Sequence, residues 1–302
     1  MRLRPARGQR VLLGCGRGPA GIGRCLTRVA LTGICWILAG PVLSSPAAAQ
    51  ATAPISNSAR KWAITDNSFL VEEAFNQEPR IFQNIASWTW SRRGDWDASF
   101  TQEWPLVGKT HQFSYTIPFS GGDQGAGVND VLLNYRYQVW DETLGHPAVA
   151  PRVSVVLPTG NVRDGFGSGV AGAQVNVAFS KQLRDLYVHW NAGWTWLPGI
   201  ALSEGDGARV NLTSPQLAAS AIWRLRPMFN VMLETVLRFE ESVQDGSEIV
   251  DERSVIISPG FRRGWNIGDR QIVVGAALPV TNGASGTSAA LLTYFSYELP
   301  FK

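Results

Sequence analysis

From Arg80 to the end of the chain, apolar and polar residues alternate with a period of two in twelve successive runs. In Asp95–Leu106, Trp96, Ala98, Phe100, Trp104 and Leu106 alternate with Asp95, Asp97, Ser99, Thr101 and Glu103. In the next run Phe113, Tyr115, Ile117 and Phe119 oppose Gln112, Ser114 and Thr116. Successive side chains of a strand point to opposite faces, so each run predicts a strand with one apolar and one polar face. The pattern persists through Val131–Val139, Val149–Leu157, Val175–Ser180, Val188–Trp196, Gln216–Leu225 and Phe229–Glu240. It weakens around Val255–Phe261 and Ile272–Val280 and returns over Ala289–Phe301, where Leu291, Phe295, Tyr297, Leu299 and Phe301 share a face. A first strand over Ile81–Ser91 brings the expected number to twelve.

The connections alternate in length. Val107–Lys109, Leu183–Asp185 and Leu225–Pro227 are terse; Ser120–Gly127, Thr159–Gly172, Pro198–Ser214 and Glu241–Glu252 are longer and richer in glycine and acid. Short turns at one end and long loops at the other are the habit of outer-membrane barrels. Asp141–Pro147 and Ser91–Gly94 break the rule, one too long and one too short.

Alternation alone does not say which face is inside, since a soluble sandwich also alternates. The polar faces decide: they carry neutral Ser, Thr, Asn and Gln, and lysine is confined to Lys61, Lys109, Lys181 and Lys302. A soluble surface is normally rich in charge. Aromatic residues collect toward strand ends, at Trp88, Trp90, Trp194, Trp196, Tyr297 and Phe301, where the girdles of a membrane barrel belong. The expected fold is therefore all-β: a closed antiparallel transmembrane β-barrel of about 12 strands, preceded by a short helical segment.

Residues 1–49 read as a secretory signal peptide. Seven arginines and no acidic residue precede an apolar run from Val29 to Leu43, which is followed by Ala47-Ala48-Ala49. Cleavage after Ala49 removes all three cysteines, Cys15, Cys25 and Cys35, and changes the sign of the charge. Taking seven of 27 basic residues away, against 24 acidic ones, leaves a net of −4 and removes the case for nucleic acid as a partner. Residues 50–79 are expected to form a periplasmic or plug segment, and residues 80–302 the barrel. Within the former, Asp66-Asn67-Ser68 followed by FLVEEAFNQ predicts an N-capped helix with Glu72 and Glu73 in its first turns.

The runs GVNDVLLNYRYQ (Gly127–Gln138), PRVSVVLPTGN (Pro151–Asn161) and GSGVAGAQVNVAFSKQL (Gly167–Leu183) resemble the bacterial outer-membrane family called the transporter, or MetA-pathway of phenol degradation, family. The resemblance extends from about Asn84 to the C-terminus. It implies an outer-membrane barrel that passes small molecules, aromatic or hydrophobic ones among them. The ending YFSYELPFK also resembles the terminal strand that barrel-assembly machinery reads, although Lys302 follows the aromatic Phe301. The expected partners are thus outer-membrane lipid, that machinery and a small solute.

The candidates for a polar constriction are the charged or titratable groups on the inner face: Glu103, Asp130, Arg136, Arg152, His189, Arg224, Glu234, Arg238, Arg262 and Glu298. Rings of such groups select solutes in channels. The same groups, paired, equally make a salt-bridge network that fills and stiffens the interior. An enzyme needs a nucleophile beside a base, and only His111, His146 and His189 are available as imidazoles. His111 falls on an apolar face, His146 in a turn, and His189 alone on a polar face near Ser154 or Ser180. No catalytic residue, metal site or cofactor is therefore expected. Two readings remain: a channel for small molecules, or a closed structural or binding barrel with a plugged lumen.

Overall fold

The computed structural model describes residues 63–64, 66–123, 125–202, 207–244 and 248–301. The expected signal peptide lies outside these residues. The described chain is a closed antiparallel β-barrel. In order, its strands are β1 (Ile81–Ser91), β2 (Trp96–Val107), β3 (His111–Gly122), β4 (Gly125–Val128), β5 (Val131–Tyr137), β6 (Ala148–Leu157) and β7 (Gly172–Leu183). They continue as β8 (Leu186–Ala201), β9 (Arg209–Arg226), β10 (Phe229–Gln244), β11 (Glu248–Ile267), β12 (Arg270–Ala277), β13 (Val280–Gly283) and β14 (Gly286–Pro300). Twelve staves make the wall. The short β4 only doubles back on β3, and β13 continues the stave of β12 past a break at Leu278-Pro279. The first and last strands close the ring, pairing from Ile81↔Pro300 to Ser91↔Ala290.

The alternation fixes the two surfaces. Outward-facing Leu217, Trp223, Leu233 and Phe261 are each about half exposed, whereas Ser220, Glu234, Ser258 and Arg262 on the same strands are buried inside. The ladders run round the whole ring and close it between β1 and β14, so the staves leave no open sheet edge toward the apolar exterior.

Two expectations need correction. The long loops Pro198–Ser214 and Glu241–Glu252 are mostly strand: β8 runs to Ala201, β9 starts at Arg209, β10 runs to Gln244 and β11 starts at Glu248. The 20 residues of β11 extend about 66 Å at ~3.3 Å per residue, whereas crossing a bilayer takes about 9–11 tilted residues. The four strands therefore rise as a collar beyond the rest of the barrel. Their polar, glycine-bearing sequence looked like loop because strand rims outside a hydrocarbon layer need no apolar face.

The second correction concerns the segment before β1. Residues 66–80 contain no helix. They form an extended strap inside the barrel, and the reason lies in the wall side chains described below.

Candidate functional site

The strap enters at the short-turn end, where Ile64 packs with Met228 and Val273, and follows the inner wall round to β1. Its extended backbone turns alternate amides toward the wall. The Leu70, Glu72, Ala74 and Asn76 N–H groups donate to Glu234 Oε1 (2.8 Å), Asn191 Oδ1 (2.8 Å), Ser180 Oγ (2.7 Å) and Gln138 Oε1 (3.2 Å). Gln77 N–H then donates to Gln112 Oε1 at 2.7 Å. Wall side chains thus replace the neighbouring strand. A helix would satisfy these amides internally, but would leave the wall's amides, carboxylates and hydroxyls without partners in a buried space.

Arginines take the strap carbonyls. Arg262 Nη1 donates to Asp66 O and Asn67 O, and Arg136 to Glu73 O (3.2 Å) and Phe75 O (2.7 Å). Arg136 Nε also donates to Asn76 Oδ1 at 2.8 Å. Asn191 closes a two-way bond by donating to Glu72 O at 2.9 Å. Ser68 and Ser220 hydroxyls meet at 2.6 Å. Between the polar contacts, Val71 packs on Ala218, Val236 and Ile256, and Ala74 on Ala148, Ala150 and Ala178. The lower interior is accordingly a small core shared by strap and wall, and not the uniformly polar lumen that alternation predicts.

The strap carboxylates differ in their surroundings. Asp66 accepts from Gln83 Nε2 (2.7 Å), Tyr294 Oη (2.6 Å) and Ser296 Oγ. Burial nonetheless raises its pKa above the ordinary value, against the pull of Arg262 and those donors. Burial also pushes Glu72 upward, but Arg152 more than compensates and holds it below the usual range. The pair is forked: Arg152 Nε lies 3.0 Å from both Glu72 oxygens and Nη2 lies 2.7 Å from Oε1. Glu73 has no such fork, and burial raises it to about 7.

The ten sequence candidates separate by position. Arg136, Arg152, Glu234 and Arg262 hold the strap directly. His189 acts one step back: Ser180 Oγ accepts from Ala74 N–H and shares a hydrogen bond with His189 Nδ1 at 2.7 Å. With Ser180 and His189 both buried, this pair is a support for the strap. Glu103 lies beside Arg136, at 3.9 Å. Arg224 sits near the short-turn rim, paired with Asp185 at 2.6 Å, and Glu298 is near the end of β14, opposite Gln83 of β1. Arg238 lies higher in the lumen, 4.0 Å from Glu240. Asp130 is at the opposite rim, where its carboxylate accepts from Gly160 N–H (3.0 Å) and from both Ser168 N–H and Oγ (2.6 Å each). It clips the 158–171 connection onto the barrel. Sequence reasoning placed Ser180 beside His189, as found, but missed its bond to the strap and missed the neutral partners Gln83, Gln112, Asn191 and Ser220. Their signal was present as amide and hydroxyl residues at inward positions, read there as water-facing.

Two cavities in the lumen are lined by described residues. The lower, of about 280 Å³, is bounded by the strap over Asn67–Glu72, by β1–β3 and β5, and by Tyr294. The upper, of about 360 Å³, is lined by Gln174, Thr195, Ser214, Pro215, Gln216, Arg238 and Glu240. Gln174 borders both.

The sequence matches no protein-family model, and no curated protein matches it significantly. Solved structures do. An outer membrane channel from Pseudomonas putida F1 superposes with a TM-score of 0.59 at 13% identity, over 79% of this chain and 100% of that one. The chain shares that channel's fold. More loosely similar are the NanC porin (TM-score 0.47, 10% identity, 72% of this chain and 99% of that one) and the CymD monoaromatic hydrocarbon channel (TM-score 0.39, 10% identity, 74% and 89%).

Proposed function

We propose that the chain is an outer-membrane channel for small molecules whose passage is set by the internal strap. The observation that carries this reading is a barrel with an apolar exterior and a lumen that keeps two cavities, one of them against the strap. An apolar belt of this extent has no favourable contact in water and is matched by hydrocarbon. The leader expected over residues 1–49 supports export, and the C-terminal strand, which closes the ring against β1, is the element offered to barrel-assembly machinery. The resemblance at Gly127–Leu183 favours membership of the MetA-pathway transporter family, and with it small aromatic or hydrophobic solutes. Residues 50–79 are the plug unit and residues 80–302 the barrel unit of this reading. Arg136, Arg152, Glu234 and Arg262 define the constriction by holding the strap, while Arg238 lines the vestibule.

The density of strap–wall hydrogen bonds favours a second reading, a permanently closed barrel with no transport. A reversible lock separates the two. The Ser68 and Ser220 hydroxyl oxygens are 2.6 Å apart, close enough for the S68C/S220C pair to form a disulfide with little movement. In planar bilayers the oxidised form of the mature protein should be nearly silent, and reduction should restore the wild-type current. Steady current that is indifferent to the lock would refute strap control, and silence of wild type and reduced variant alike would favour the closed barrel.

A further inference from the structure

We infer that the lower chamber is a binding site for a neutral ring-shaped solute carrying hydroxyl groups on one edge and hydrocarbon on the other. Its surface is divided in that way. On one side Phe69 and Leu70 of the strap face in, with the Phe69 ring 4.9 Å from that of Tyr294. On the other, Ser99, Thr101 and Glu103 follow one another along the inner face of β2, spaced about 6.6 Å apart. Ser99 pairs with Ser87 at 2.8 Å and Thr101 with Thr116 at 2.9 Å. Each hydroxyl pair uses one proton internally and keeps another to offer, together with lone pairs.

Glu103 supplies the acceptor. It is 7% exposed and lines the chamber, yet its Oε2 has no hydrogen-bond partner among the described residues. The nearest cation, Arg136 Nη2, is 3.9 Å away, beyond hydrogen-bond range. That oxygen is itself buried; a buried carboxylate oxygen left unmatched is costly, and a solute O–H that meets it after a small rotation of the side chain removes that cost. The charges around the chamber balance, with Arg136 and Arg152 against Glu72 and Glu103. That balance gives an ion no advantage and selects a neutral molecule. The volume, about 280 Å³, is at the bottom of the range for small-molecule pockets and suits a single ring. A purely apolar solute would leave the hydroxyl rows and Glu103 unmatched, so hydroxyl groups on the solute are the specificity-determining feature.

This inference rests on the same lumen as the channel reading, but binding is tested without transport. The mature protein in detergent is titrated calorimetrically with cyclohexanol, phenol, myo-inositol, toluene and cyclohexanecarboxylate. At least one of the three neutral hydroxylated probes should bind, and which one distinguishes an alcohol or phenol from a polyol as the natural source. Toluene and the carboxylate should bind at least tenfold more weakly. Glu103→Gln, which keeps the shape, should weaken the hydroxylated probe by about tenfold or more. Thr101→Val should weaken it severalfold and leave toluene unchanged; its unaltered heat-modifiability on gels would show the barrel intact. Binding of toluene as tight as phenol, equal affinity in Glu103→Gln and wild type, or no binding by any hydroxylated probe each overturns the proposal. Binding without any single-channel current would instead retain the site and refute the channel.

Discussion

Arg136→Met isolates the strongest single hold on the strap. The guanidinium contributes three charge-assisted bonds to strap acceptors, at 2.7, 2.8 and 3.2 Å, and a fourth to Gln112 Oε1 at 3.1 Å. Individual bonds to a charged group are worth about 1.5–3 kcal/mol and do not add simply. Removing the cation also strands Glu103, whose only ion-pair partner among the described residues is Arg136. One-sided loss of a buried pair costs about 3–5 kcal/mol. Some of this cost falls on the barrel whether the strap is seated or not. If about 3 kcal/mol bears on strap seating, the unseated population rises more than a hundredfold. The assay is single-channel recording. Wild type should show rare or small openings, Arg136→Met frequent and larger ones, and Arg136→Met with Glu103→Gln an intermediate pattern, since the stranded charge is gone but the strap bonds stay missing. Equal gating in all three, with heat-modifiability unchanged, would refute the assignment of the strap as the gate and Arg136 as its main anchor.

Glu73 gives a pH signature. Its pKa is raised to about 7 in the seated strap against about 4.5 when exposed, so the seated state binds the proton more tightly. Seating is favoured fully below about pH 4.5 and loses that advantage progressively as the pH rises to 7, by about 3 kcal/mol at most. Channel openings should therefore increase between pH 5 and 8 in wild type and much less in Glu73→Gln, measured by open probability; an unchanged pH response in that variant would rule out Glu73 as the sensor. Asp130→Ala should free the 158–171 connection by removing three bonds, seen as faster proteolytic nicking there in proteoliposomes with the barrel intact. Gly167→Ala should do the same, because φ is +75° and a Cβ would lie 2.4 Å from Asp130 Oδ1; nicking at the wild-type rate in both would show that the clip does not order the connection.

The barrel was legible because its defining pressure acts on every strand residue. A lipid-facing position must be apolar and its neighbours must not, so Phe113, Tyr115 and Ile117 against Gln112, Ser114 and Thr116 state the strand, its faces and its ends at once. The first strand, expected over Ile81–Ser91, is found with those bounds. Strand rims in the collar were illegible for the same reason: beyond the apolar layer the pressure stops, and Arg209, Asn211 or Glu248 carry no face to read.

The strap was illegible because its conformation is not written in its own residues. Ser68–Gln77 has good helical propensity and a capping signature. What overrides them is a set of wall groups more than a hundred residues away: Ser220 to Ser68, Glu234 to Leu70, Asn191 to Glu72 and Ser180 to Ala74. Each is a side chain that, unpaired, would be a buried polar group without a partner, and together they impose a period of two on a sequence with none of its own. The extended form is therefore a property of the strap inside the barrel. A peptide of the same sequence in water has no reason to hold it, and releasing the strap exchanges these wall bonds for water. Such an exchange leaves few unmatched groups on the strap itself; the cost falls on the wall, at Glu234, Arg136 and Arg262. The wall residues, more than the strap residues, accordingly set how often the lumen opens.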